Sequence, residues 1–424
     1  MTSCSAGVPA GVFAEQASEC RCTLATALFF LAVSAQAALP PLQPLIDATP
    51  AGAALRPPAG RYAGPAVIGK PLILDGGGRV TLDGGGHGTV LSVRAADVTV
   101  RGMRLTNSGA THDGVDAGLM IDEVDGARVE GNVIDQVLFG IHLKQSSHSL
   151  VRGNTIRGRE AELNLRGDGI RLWNSHFNRI ENNRVSDSRD ITVANSTDNR
   201  FTGNRIVNGR YGMQLIFSPR NHIEGNLVSH TTTGIAVLYS DQVTLHGNRI
   251  EHVRDVAGAG LAFKGSGQAE VTGNTVLHCT VGVQADAPPY PEARHRFQGN
   301  RFAHNVTGMY FYGEKGGHVV RGNRFEKNLM QVGVSASTSA RGNDWRGNEW
   351  DDYEGFDRDG DGIGDTPYAL YYYADRIWME TPQARFFRNS PALELLDFLE
   401  RLAPFSAPEL ILRDPQPRWR ADTR

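Results

Sequence analysis

Apolar and polar residues alternate along this chain in very short runs, and the runs recur. Between Val129 and Gly347 one phrase returns as VEGNVI, VRGNTI, IENNRV, FTGNRI, IEGNLV, LHGNRI, VTGNTV, FQGNRF and VRGNRF. Its marker asparagines run from Asn132 to Asn323 at intervals of 21 to 29 residues. A Gly followed by an apolar residue falls 8 positions after the marker at Gly140, Gly212, Gly234, Gly282 and Gly308. Runs such as Gly234 to Leu238 and Gln242 to Leu245 alternate with β-branched residues between Gly or Asn punctuation, which predicts strands joined by tight turns. No 3.6-residue pattern of useful length interrupts them, so a helical solenoid is excluded. A leucine-rich repeat would need a dense Leu frame, and a propeller blade a period of roughly 40–50 residues. The pattern therefore predicts an all-β chain, a right-handed parallel β-helix with coils of about 22 residues. Roughly a dozen coils would make a rod on the order of 55–60 Å long. Apolar positions point into the tube, and Asn suits the corners, where it tolerates a left-handed conformation and its amide can bond the Asn one coil away.

The termini divide the chain further. Arg21 precedes an apolar run from Leu24 to Val33, and Ala35-Gln36-Ala37 supplies a small-residue cleavage site, so residues 1–37 read as an export signal. The run is too short to span a bilayer. Cys4, Cys20 and Cys22 would leave with the signal, so Cys279 alone remains and no intramolecular disulfide is expected. Residues 38–348 read as the β-helix, opened by an amphipathic segment from Leu42 to Ile46 that covers the first coil. Residues 349–424 read as a separate C-terminal module. A formal charge of −3, without a basic stripe, gives no electrostatic case for nucleic acid.

A carbohydrate-active enzyme is one class this architecture admits. Acid/base cleavage of a sugar needs two suitably placed carboxylates, or a base beside a charge-neutralising group. Asp113 with Asp116, Asp168 near Arg171, and Asp187 with Asp190 are the candidates, and none makes a recognisable set. The C-terminal phrases NDWRGNEWDDYEGFDRDGDGIGDTPY and FFRNSPALELLDFLERLAPFSAPELILRDPQPR, with PPAGRYAGPAVIGKPLILDGGG near the start, point elsewhere. In these the chain resembles the NosD-type nitrous oxide reductase maturation proteins. The resemblance implies a periplasmic, non-enzymatic partner of an ABC transporter permease and ATPase. It would help load copper into nitrous oxide reductase, receiving the metal from a copper lipoprotein chaperone.

Three constellations carry possible chemistry. Asp357, Asp359, Asp361 and Asp365, interleaved with Gly360, Gly362 and Gly364, reproduce the opening of an EF-hand-like loop and predict structural calcium. Tyr368 stands where such a loop has its bidentate Glu, so Asp351, Asp352 or Glu354 would have to supply the missing oxygen. Aligning coils on their Asn puts His230, His252, His278 and His304 in one file with neighbours roughly 5 Å apart. Cys279 is adjacent in sequence, and imidazole and thiolate are ligands copper accepts. Polar corner residues that merely stack are the competing reading, and Met213 and Met309 fall in core slots. Finally, residues 391–403 predict a helix with Pro at its first turn and Leu395, Phe398, Leu399 and Leu402 on one face. That helix, with the Pro-rich end after it, is expected to dock the permease, and its removal to leave the β-helix folded.

Overall fold

The computed structural model describes residues 38–313, 316–335, 338–372 and 409–419, with the single positions 391, 395, 398 and 399. The proposed signal segment, residues 1–37, lies outside the described residues. The chain is a parallel β-helix with three faces per coil. A representative coil runs through His222–Glu224, Leu227–Ser229 and Thr233–Leu238, one strand on each face. The third face is a twelve-stranded parallel sheet that opens with Ala66–Ile68 and closes with Met330–Val334. Register is direct: Ile223 lies beside Leu245, Val228 beside Ile250 and Ile235 beside Leu261. All six are fully buried, and one apolar core runs from Leu42 to Leu412.

The marker asparagines hold the coils in register from inside. The Asn226 N–H donates to Asn248 Oδ1 at 2.9 Å, and its amide donates to the same oxygen at 3.0 Å and to the Phe201 carbonyl at 2.9 Å. The pattern repeats from Asn132 to Asn348. The sequence reading of the corner is corrected in one respect. The left-handed residue is the one before the marker, Gly225 at φ 62° or Asn182 at φ 53°, while the marker itself is buried. Asn earns its place by satisfying backbone groups that the bend would otherwise strand in the core.

Both ends are closed. The helix Gln43–Ala48 covers the first coil with Leu42 and Ile46, both buried. At the other end, the strands 368–372 and 409–414 are packed on the last coils rather than set apart from them. Tyr368–Tyr372 pairs antiparallel with Glu409–Asp414, and Tyr368, Ile411 and Leu412 belong to the same core as the coils. Asp414 takes the next place in the asparagine ladder, accepting from the Asn348 N–H at 3.1 Å and its amide at 2.9 Å. The expectation that the helix and the Pro-rich end after it can be removed without cost to the β-helix runs against the packing of residues 409–414, which cover an open sheet edge.

Candidate metal-handling site

Each file histidine directly follows a second-face strand, at the corner leading to the third face. All four adopt left-handed backbone, with φ 55° at His230, 59° at His252, 54° at His278 and 56° at His304. Asn, Asp and His accept this conformation more readily than most residues. The same corner holds Asp187 and Asn208 in earlier coils and Lys327 in the next, all at positive φ. The four N–H groups donate to the neighbouring coil, at Glu251, Leu277, Ala303 and Glu326, and so fix the spacing. Ring centroids are 4.9, 5.2 and 5.1 Å apart along the file, with interplanar angles of 16°, 14° and 16°.

Electrostatics act on His278, within the file. Burial, then the neighbouring His304 and His252, push the His278 pKa down, which favours the neutral imidazole that binds metals. His230 borders a shallow groove with Asn208 and Asp255. At the other end His304 opens on a cleft of about 440 Å³ lined by Lys327, Arg301, Arg418 and Trp419. Among the described residues, the one set of three or more His, Cys, Asp or Glu ligand atoms within 4.8 Å of one another is Asp357, Asp359 and Asp361. The imidazole file thus forms no closed cluster of three ligands.

Cys279 does not join the file. Its side chain turns inward, 1% exposed, and its thiol donates to the Leu277 carbonyl. Burial pushes the thiol pKa up to about 12, so the thiolate needed for metal binding is suppressed. The two residues are neighbours in sequence, but the corner sends their side chains to opposite sides of the wall. Met213 and Met309 are fully buried in the core, as their slots implied.

The acidic loop gathers three of its four predicted ligands. Asp357 accepts from the N–H groups of Gly360, Asp361 and Gly362, and Asp361 accepts from Ile363, with Gly360 and Gly362 at positive φ. Asp365 instead accepts from the Arg358 N–H. Asp351 is bound to Lys327 and Gln331, and Asp352 to Tyr368, so neither is free to complete the loop. Tyr368 itself stacks on Trp350 at 4.4 Å. In the tail, Leu395, Phe398 and Leu399 are helical and exposed. Leu402 lies outside the described residues.

The candidate catalytic carboxylates are engaged structurally. Asp168 is walled in by Arg189 at 2.9 Å and Arg171 at 3.7 Å, and burial raises its pKa. Asp190 is clamped by Arg210 and Arg189. Asp116 accepts from the Thr111 N–H, and Asp187 sits at a corner bonded to Asn208. Asp113 lies in the turn 112–115, and Asp116 directly follows it.

Sequence reasoning missed a second, internal pair of histidines. His295 and His318 stack at 4.9 Å in the core, where their Nδ1 atoms accept the N–H groups of Ala269 and His295. They stand in for the asparagine oxygens that do this at Asn199 and Asn221 in earlier coils. Aligning coils on that second ladder, rather than on the marker alone, would have found them.

Comparison with known proteins agrees with this architecture. Residues 154–355 match the family described as periplasmic copper-binding protein NosD. A probable ABC transporter binding protein NosD from Pseudomonas aeruginosa is 34% identical over 82% of this chain and 83% of its own length. A protein of the same description from Stutzerimonas stutzeri is 29% identical over 93% of both chains. Among solved structures, the A-module of a mannuronan C-5 epimerase from Azotobacter vinelandii superposes with TM-score 0.55 at 14% identity, covering 72% of this chain and 93% of that one. The catalytic domain of a GH87 α-1,3-glucanase does so with TM-score 0.53 at 13% identity, covering 69% and 65%. At such identities these two establish the β-helix fold alone. No helix among the described residues is long and apolar enough to cross a membrane. With a relative one-third identical across four-fifths of its length, the chain belongs to the NosD family.

Proposed function

We propose that this protein is a non-enzymatic, periplasmic copper-handling partner of an ABC transporter, and that it passes copper toward nitrous oxide reductase along His230, His252, His278 and His304. The observation that carries this reading is the file itself, four parallel imidazoles at 4.9 to 5.2 Å. Imidazole suits copper, and a row of similar weak sites lets an ion step on and off where a closed chelate would retain it. On this reading a copper lipoprotein supplies the metal, and the transporter's permease and ATPase couple transfer to ATP hydrolysis. The exposed helical residues Leu395, Phe398 and Leu399 contribute to the permease contact. Calcium is assigned to Asp357, Asp359 and Asp361, whose oxygens converge within 4.8 Å, as a clamp on the loop beside the last coil.

The test replaces all four histidines with Asn, the residue that occupies this corner at Asn208 with φ 60°. Copper loading of apo-reductase is then measured with transporter and lipoprotein present. A several-fold loss in a folded variant is expected. Unchanged loading would leave the file a stacking ladder.

A further inference from the structure

His142 has an unusual environment for a histidine. It lies on the third face with its side chain on the outer surface of the wall, since its neighbours Ile141 and Leu143 fill the core. It is nevertheless only 4% exposed, and neither ring nitrogen has a hydrogen-bond partner among the described residues. Leaving a buried polar group unpaired costs about 1–3 kcal/mol, and here both sides of one ring are unpaired. Burial, followed by the Arg171 and Lys144 charges, pushes its pKa down to about 4. The ring is therefore neutral, with one nitrogen lone pair available.

The residue paired with His142 one coil earlier is Met120. Met120 also sits between core residues, Leu119 and Ile121, so its thioether projects from the same outer surface. Neighbouring coils are about 4.8 Å apart. Taking the zinc–imidazole and zinc–thiolate lengths of about 2.0 and 2.3 Å as a guide, a linear nitrogen–metal–sulfur bridge spans about 4.3 Å. Lys144 is paired with Asp122 at 2.8 Å, while Arg171 shares Asp168 with Arg189, at 3.7 and 2.9 Å. The positive field of Arg171 and Lys144 at His142 opposes a divalent ion more than a monovalent one. Hard divalent ions prefer oxygen ligands, whereas imidazole with thioether suits cuprous copper.

We propose that His142 and Met120 form a binding site for a soft monovalent metal ion, cuprous copper by ligand chemistry, distinct from the corner file. The ion binds through the His142 imidazole and the Met120 sulfur, without redox change or bond cleavage. The site stands whether or not the corner file carries copper, and the two are separable by experiment. The probe is cuprous ion alone, titrated anaerobically against a colorimetric chelator, in a protein whose four file histidines are Asn and whose Cys279 is Ser. One tightly held equivalent is expected, with a sulfur neighbour at about 2.3 Å by X-ray absorption. Met120→Leu, which conserves volume, should remove the sulfur signal and weaken binding at least tenfold. His142→Asn should abolish binding. Retention of full affinity in Met120→Leu, an absorption spectrum without sulfur, or no bound copper in the file-less protein would each overturn the proposal. Because Met120→Leu keeps the core intact, the test survives a folding defect in His142→Asn.

Discussion

Replacing Asp414 with Ala should open the C-terminal end of the β-helix. Asp414 is fully buried, and its Oδ2 accepts from the Asn348 N–H at 3.1 Å, the Asn348 amide at 2.9 Å and the Trp350 indole N–H at 3.3 Å. Alanine leaves these donors without an acceptor. At about 1–3 kcal/mol for each buried unpaired group, with relaxation recovering part, the cost is about 3–6 kcal/mol. Asp414→Asn keeps an acceptor oxygen and should cost about 1–2 kcal/mol. The exposed neighbour Arg413 provides the control, since Arg413→Ala should fall within about 0.5 kcal/mol of the parent. Stacked coils communicate with nearest neighbours, so the loss should appear first in the last coils. Hydrogen exchange resolved by peptide should show faster exchange over 319–350, while peptides around Asn226 keep their protection. Urea unfolding followed by circular dichroism gives the free energy. Equal stability of Asp414→Ala and Arg413→Ala would refute the idea that the ladder needs this terminal acceptor. Deleting 409–424 should be worse still, since Ile411 and Leu412 are buried and each contributes about 1.5–3 kcal/mol.

Other perturbations probe the middle of the molecule. Asn226→Ala should cost about 2–4 kcal/mol in urea unfolding, because it strands the Asn204 N–H and the Phe201 carbonyl inside the wall. His142, His295 and His318, held near pKa 4, 3 and 4 by burial, are neutral when folded and take up protons on unfolding below about pH 6.5. Their contribution is therefore complete above that pH and falls by up to about 1.4 kcal/mol per pH unit per histidine toward pH 4. His295→Asn with His318→Asn should flatten that acid limb in melting curves measured from pH 7 to 4.5. Calorimetry should detect one calcium site that Asp359→Ala with Asp361→Ala removes, and unchanged heat would discard it. Cys279 should resist thiol reagents until the protein unfolds, and Cys279→Ser should load copper normally in the reconstituted assay.

Much of this molecule was legible in the sequence because a β-helix repeats its physics every coil. Alternation at Ile235 and Val237, and an Asn every 21 to 29 residues, specify strand, face and register together. The histidine file followed from register alone, and the expected separation of roughly 5 Å matches the 4.9 to 5.2 Å observed. Periodicity could not give side-chain direction at an irregular step. Cys279 follows His278 immediately, yet the left-handed corner turns one outward and the next inward. Nor does periodicity operate beyond the repeats. The role of Asp414 depends on a contact with Asn348 across 66 positions, made by a segment that carries no repeat phrase of its own.

The two kinds of histidine in this wall make opposite demands on the same side chain. Inside, His295 and His318 act as acceptors in a backbone ladder and must stay neutral for the coils to stack. Outside, the corner backbone of His230, His252, His278 and His304 is already satisfied through its own N–H groups. The ring nitrogens there are not needed to hold the coil. Asn208 occupies the same corner with the same left-handed backbone, so the fold does not require imidazole at this position. Four consecutive histidines are thus more than the corner asks for. The corner specifies a polar residue at positive φ, supplied elsewhere by Asp187, Asn208 and Lys327, and what imidazole adds beyond that is a nitrogen ligand at a spacing the coils enforce. This asymmetry between what stacking needs and what the file contains is the physical ground for the proposed metal-handling role of the outer row, while the inner pair is structural.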